Sequence, residues 1–225
     1  MKDLGGGIAS LQAWSLAARI AIGVFLVVLV LLTAVNLVLL YAELSTNFGF
    51  VVYNPVLAAA LRATNLLLSM FFVLSAGPVI GWIYRAHANL RDAEVEELNY
   101  SPGWSVACFF VPLVNLVVPF RAMRELHNRS HGEKPWDSAA TVGDVTSWWS
   151  CQVAAVGVAT VATLVALLAA IPNLYVIQPP GVNTGLGLFA LLLFFGAGAY
   201  LFRTVSAVTS AQRQMLHMNH ADVFG

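Results

Sequence analysis

Four long stretches without Asp, Glu, Lys or Arg constrain the fold more than any other feature of this sequence. They cover residues 20–41, 63–84, 148–171 and 182–202. A hydrocarbon core of about 30 Å takes roughly 20 helical residues to cross, because irregular backbone cannot satisfy its hydrogen bonds in lipid. We therefore predict four membrane-spanning helices over residues 20–41, 56–84, 148–171 and 182–202, the second starting just after Pro55.

The composition agrees with a membrane protein. Hydrophobic residues make up 59% of the chain and charged residues 10%, whereas soluble domains average about 25% charged residues. Eleven basic residues balance eleven acidic ones, so no net charge recruits a nucleic acid. The chain is predicted to form one membrane domain over residues 1–225, with the lipid bilayer as its surroundings.

A fifth apolar stretch, from Trp104 to Val118, leaves two topologies open. Its fifteen residues reach only about 22 Å as a helix. Pro112 interrupts it and Pro119 ends it, while Pro119 also suits the first turn of a following helix. The stretch either crosses the membrane or enters and returns on the same side.

The basic residues favour the second topology, because Lys and Arg collect in short cytoplasmic loops. A returning element puts ten of them on one side: Lys2, Arg19, Arg85, Arg91, Arg121, Arg124, Arg129, Lys134, Arg203 and Arg213. A crossing element would divide them four against six. We predict two transmembrane hairpins with both termini cytoplasmic.

The segment between the hairpins is predicted to contain two helical elements. The first is a re-entrant or interfacial helix over residues 102–119, broken by proline and started by Ser101 and Pro102. The second is an amphipathic helix over residues 119–131, with Phe120, Met123 and Leu126 on one face. We expect the amphipathic helix to lie along the inner membrane surface. The predicted fold class is thus an all-α integral membrane protein.

Three strings carry a resemblance to a known family: WIYRAHANL (82–90), SPGW (101–104) and FFVPLVNLVVPFRAMREL (109–126). The sequence resembles, over nearly its whole length, a family of bacterial membrane proteins catalogued only as a domain of unknown function. The resemblance implies a multi-span helical protein of the bacterial inner membrane without an assigned reaction. It also implies aromatic residues, Trp especially, at two positions where this sequence has Cys108 and His127.

Asn115 is the strongest single candidate for a site, because an amide in an apolar element needs hydrogen-bond partners. Within a continuous helix, Pro112 would free the carbonyl of Cys108 and Pro119 would free that of Asn115. A ligand or a partner helix can satisfy these groups, or Asn89 or another buried side chain can do so as purely structural contacts. Both interpretations stay open at this point.

Arg121 and Arg124, together with Arg129, form a basic cluster that suits anionic lipid headgroups or an acidic partner surface. His127 and His131 are four residues apart and so share a helical face, while His217 and His220 lie near the C-terminus. Such spacing can bind Zn or Cu, but a solvated helix surface explains it as well. We expect no cofactor, since all five histidines fall on the predicted cytoplasmic side and cannot ligate a haem between spans.

Three functional hypotheses follow from this pattern. The first is a non-enzymatic accessory or scaffold subunit, which docks a partner through the re-entrant and amphipathic helices. The alternative is a subunit of a small oligomeric transporter or channel, with a cavity at Pro112, Asn115 and Pro119. A third is an enzyme acting on lipid with His127 or His131 as base, although no nucleophile motif, paired carboxylates or phosphate-binding loop supports it.

Overall fold

A computed structural model describes residues 4–46, 55–134, 142–169, 171 and 179–224. Within these residues the regular structure is entirely helical. Two pairs of long helices flank a group of short elements. In chain order these are α1 (Leu4–Thr46), α2 (Pro55–Asp92), α3 (Pro102–Ala107), a 3₁₀ turn (Val114–Leu116), α4 (Val118–Ser130), α5 (Gly143–Ala169) and α6 (Val182–Phe224).

The four long helices are long and apolar enough to cross a membrane. Among the described residues, the spans run over Gly6–Ser45, Arg62–Asp92, Gly143–Leu168 and Val182–Met215, with mean hydropathy between 2.0 and 2.9. The short helices lie between the second and third spans. The predicted fold class is confirmed, and the chain is a multi-pass membrane protein.

The long helices pack in the order α2, α1, α6, α5. Aromatic side chains join three of them, because the ring of Phe72 lies 6.1 Å from that of Phe25 and 5.8 Å from that of Phe194. Close approach joins the other pair, since a Cβ at Gly196 of α6 would lie 3.3 Å from Sγ of Cys151 on α5. These contacts form the membrane part of the core.

A second core lies at the end of the bundle where α1 begins and α6 ends, and we call this end the terminal layer. Its buried side chains come from the first half of α1, the end of α2, α4, the start of α5 and residues 197–208 of α6. Trp82 is fully buried there, and its Nε1 donates a hydrogen bond of 3.1 Å to Oγ1 of Thr209. The apolar end of α2 therefore packs against protein. The helix continues beyond residue 84, the predicted end of its span.

Among residues 93–134, the segment between α2 and α5 has no helix long enough to cross a membrane. Its first helix, α3, has six residues and is about 9 Å long. The segment instead packs against the start of α5, where the Trp149 indole Nε1 donates to the carbonyl of Leu116 at 3.1 Å. The predicted proline-broken element between the second and third spans is present as short pieces, because α3 ends at Ala107 and irregular backbone and the 3₁₀ turn follow. The carbonyl of Cys108 would clash with the ring of Pro112 in a continuous helix.

The amphipathic helix is present within one residue of its predicted bounds, as α4. Its surroundings differ from the prediction, because α4 is buried on most of its surface, polar residues included, and contacts α2, α5 and α6. The helix is thus part of the terminal layer, and its buried faces contact protein.

Candidate functional site

Residues 109–117 form an exposed apolar loop, and we use that name for them below. Four of its side chains are largely uncovered by protein: Phe110 (70% exposed), Leu113 (81%), Leu116 (56%) and Val117 (46%). The loop turns sharply at Leu113, whose φ is 66° and ψ −45°, while Val114 N donates to the carbonyl of Pro112 at 2.8 Å. This is a γ-turn of the rare, strained type.

Trp149 holds the apolar loop against the start of α5. Its indole holds Leu116, as described above, and its ring lies edge-on to Phe109 with centroids 6.4 Å apart. Asp144, five residues earlier on α5, pairs with Arg203 of α6 at 3.2 Å between Oδ2 and Nε. Trp149 therefore lies about 7 Å further along α5 than this charged pair, in the direction of the membrane interior. The apolar loop thus contacts the bundle inside the level at which charges begin.

Pro112, Asn115 and Pro119, which were predicted to form a site, differ in burial. Pro112 is exposed, Asn115 is half-buried and Pro119 is buried as one of the first residues of α4. The Asn115 N–H donates to the carbonyl of Val111 at 2.9 Å. The argument about freed carbonyls does not apply at Pro112, because no helix passes through it.

Asn89 belongs to a different part of the terminal layer. It is buried on α2, and a Cβ at Gly7 of α1 would lie 3.0 Å from its Oδ1. Neither polar atom of the Asn89 side chain has a hydrogen-bond partner among the described residues. The structure therefore places Asn89 against α1, and it does not act as the partner of Asn115.

Glu125, which the sequence did not single out, pins the start of the connecting segment to α4. Its side chain is 1% exposed. Both of its carboxylate oxygens accept from the Asn99 N–H at 3.1 Å, Oε1 also accepts from the Tyr100 N–H at 3.1 Å, and Oε2 accepts from Nδ2 of Asn99 at 2.7 Å. The carboxylate has a structural role, since its acceptor sites are occupied by fixed donors.

The three arginines predicted to form a basic cluster have different surroundings. Arg121 is exposed, Arg124 is half-buried, and Arg129 donates to the carbonyl of Glu96 and to Oε2 of Glu97. Burial raises the pKa of the Tyr100 hydroxyl, while the nearby Arg121 guanidinium acts in the opposite direction. Arg121 is thus the member of the cluster that faces outward beside the apolar loop.

His127 and His131 are brought together as a stacked pair, with ring centroids 4.4 Å apart. Nδ1 of His131 lies 2.7 Å from the carbonyl of His127. Burial, with a smaller contribution from His131, lowers the pKa of His127 to about 4. The described residues contain no group of three or more His, Cys, Asp or Glu side chains that could hold a metal ion. The side chains of His217 and His220 lie outside the described part of the chain.

Cys108 and His87 are two further buried side chains of types that can take part in catalysis. A catalytic role would require such a side chain to be reactive. Burial raises the pKa of the Cys108 thiol, whose Sγ donates to the carbonyl of Ser105 at 3.4 Å. His87 is buried, with Nδ1 at 2.9 Å from the carbonyl of Ile83. Because the thiolate is the nucleophilic form of cysteine, a raised pKa makes Cys108 unreactive.

The fold and this end of the bundle define a class: a four-span α-helical membrane protein with a packed layer and an apolar loop at one end. Residues 56–210 match the model of a family described as a domain of unknown function, DUF4328. The match covers more than half of the 225 residues, so the chain belongs to this family, and the predicted resemblance is confirmed. Neither the curated proteins nor the solved structures compared with the chain match it.

Proposed function

We propose that this protein is a non-enzymatic accessory subunit of the bacterial inner membrane, which docks a partner membrane protein through the apolar loop. The exposure of Phe110, Leu113, Leu116 and Val117 carries this proposal. Exposed apolar patches in contact range of each other are typical of interaction sites. The partner surface is a transmembrane helix, because the loop contacts the bundle at the depth of Trp149.

The geometry around the apolar loop supports docking more than catalysis. Trp149 holds the loop from α5, and Glu125 holds the preceding segment from α4. Such contacts fix the loop before a partner arrives, which lowers the entropic cost of binding. The acceptor sites of the Glu125 carboxylate are occupied by these internal contacts, so it is not free to act on a substrate.

Native mass spectrometry of the gently solubilised protein tests the proposal. We expect a second polypeptide at fixed stoichiometry with the 24.1 kDa chain. Replacing both Phe110 and Leu113 by Ala should release it, whereas Leu192→Ala should not, because Leu192 is an equally exposed apolar residue on α6. The proposal would be contradicted if no second polypeptide copurifies with the chain, or if the partner stays bound after the double substitution.

The transporter alternative has less support. Pro112 is exposed and Pro119 is buried, so the two prolines do not line one common surface. Replacing Asn115 by Leu still distinguishes the hypotheses. A transporter should lose flux while its melting temperature is unchanged, whereas a structural amide should lose stability or the partner first.

The orientation is part of the same proposal: the terminal layer, with both chain termini, faces the cytoplasm. The distribution of Lys and Arg supports it. A reporter that fluoresces only in the cytoplasm, fused after Gly225, should be active, and the same reporter inserted between α5 and α6 should be dark. The reverse pattern would overturn the orientation.

A further inference from the structure

Arg121 is an outward-facing cation at the edge of the apolar loop. It lies in the first turn of α4, where its N–H donates to the carbonyl of Val117 at 3.3 Å. Its side chain is exposed and makes no ion pair with any residue that the structure describes. Arg129, by contrast, is paired with Glu97. Arg121 therefore carries a positive charge that nothing in the described structure neutralises by contact.

Tyr100 is fixed beside Arg121 by the Glu125 carboxylate. Arg121 and Glu125 are four residues apart on α4 and so share a helix face. The Tyr100 N–H binds Oε1 of Glu125 at 3.1 Å, which anchors the tyrosine backbone one turn from the arginine. The phenol is partly buried and keeps its proton, because burial raises its pKa. It can therefore donate a hydrogen bond next to the guanidinium.

The position of this pair matches the headgroup region of a bilayer. The Leu116 carbonyl accepts a hydrogen bond from the Trp149 indole, and the carbonyl of the next residue, Val117, accepts one from the Arg121 N–H. Trp149 lies further along the candidate span of α5 than Asp144, which pairs with Arg203. We therefore expect the apolar loop to reach the hydrocarbon, with Arg121 a helical turn away from it. Apolar side chains next to a basic residue are the features of an interfacial lipid contact.

We propose that Arg121, together with the Tyr100 hydroxyl, binds the phosphate of an anionic phospholipid in the leaflet that the apolar loop enters. A guanidinium binds phosphate with two parallel hydrogen bonds, and the phenol supplies a third donor. The exposed side chains of Leu116 and Val117 contact the beginning of the acyl chains. A soluble anion would not use these apolar contacts, and the site therefore selects a lipid. The site shares Leu116 and Val117 with the proposed docking surface, but its test uses the purified chain alone, so either proposal can fail without the other.

Lipid retention measured on the purified chain tests the site. The protein is reconstituted in nanodiscs of equal parts phosphatidylglycerol and phosphatidylcholine, released from them, and its bound lipids are counted by native mass spectrometry. We expect wild type to retain phosphatidylglycerol in preference to phosphatidylcholine. Arg121→Gln should lower the retained phosphatidylglycerol about fivefold, and Tyr100→Phe should lower it by a smaller factor. Arg121→Lys, which keeps the charge, should retain more than Arg121→Gln.

Arg91→Gln is the matched control, because Arg91 is also exposed in the terminal layer but lies at the end of α2, away from the apolar loop. It should behave as wild type. An equal loss in Arg91→Gln, an unchanged count in Arg121→Gln, or equal retention of phosphatidylcholine by wild type would overturn the proposal. Inorganic phosphate in large excess should leave the bound lipid in place, and its displacement would show that the site takes a soluble anion instead. A melting curve of each variant confirms that the counts compare folded proteins.

Discussion

Replacing Glu125 by Gln is expected to lower the free energy of unfolding by about 2 kcal/mol. Each carboxylate oxygen accepts two hydrogen bonds, from the backbone of Asn99 and Tyr100 and from the Asn99 side chain. Gln has nearly the same shape as Glu, but an NH₂ group replaces one carboxylate oxygen. This NH₂ group would face the N–H donors of the connecting segment and cannot accept hydrogen bonds from them. Loss of one hydrogen bond to a buried charged group costs about 1.5–3 kcal/mol. The exposed Asn99 side chain can turn to water, which keeps the cost near the middle of this range.

Thermal unfolding in mild detergent, followed by tryptophan fluorescence, measures this effect. Trp82 and Trp148 are buried in the terminal layer and report its loss directly. In a chain of this length about 1 kcal/mol corresponds to 2–4 °C, so the midpoint should fall by about 4–8 °C. Glu94→Gln is the control, because Glu94 is exposed and its carboxylate should contribute less than about 0.5 kcal/mol. Equal midpoints for Glu125→Gln and wild type would refute the role given to this carboxylate.

Three further substitutions test other contacts of the terminal layer. Because the pKa of His127 is lowered to about 4 from 6.5, the unfolded chain takes up this proton first as pH falls. The stability that comes from neutral His127 is fully present above about pH 6.5 and falls by about 2 kcal/mol towards pH 4. His127→Gln should flatten this dependence of stability on pH in melting curves across that range. An unaltered pH dependence would count against the role given to His127. Leu113→Gly should raise the melting midpoint by about 2 °C, since glycine adopts φ of 66° without strain, whereas Leu113→Ala should not; equal midpoints would exclude strain there. Trp149→Phe removes the donor to Leu116 at a cost of about 1 kcal/mol and should speed hydrogen exchange in the apolar loop, which unchanged exchange rates would contradict.

The sequence predicted the spans because length and absence of charge are sufficient to define them. It predicted α4 nearly to the residue, since Pro119 marks its start and the apolar spacing marks its face. It could not show that Glu125 is buried, because a glutamate on an amphipathic helix has the same pattern whether it faces water or a pair of backbone amides. Only the return of Asn99 and Tyr100 onto α4, a contact across 25 residues of chain, makes the difference.

Hydropathy also could not show whether the apolar side chains at the end of α2 contact lipid or protein. Trp82 and Ile83 continue the apolar run of the span, yet they pack against α4 and α6 in the terminal layer. Burial against protein and burial in lipid select the same residue types, so the apparent span ran on past the membrane. The early end of α3 was, in contrast, visible in the sequence, because Pro112 excludes helical hydrogen bonding to Cys108.

The lengths of α1 and α6 exceed what crossing a membrane requires. Each has 43 residues and is therefore about 64 Å long, about twice the thickness of the hydrocarbon core. A protein that only had to fill the membrane would need half of each helix. The excess contributes to the terminal layer, which buries Glu125, His127 and Gln212 at a cost in desolvation. Hydrogen bonds offset this cost in part, since Nδ1 of His127 and Oε1 of Gln212 have no partner among the described residues. That layer holds the apolar loop and Arg121 in place at the membrane edge, and substitutions within it should therefore affect binding through the loop before they affect the spans.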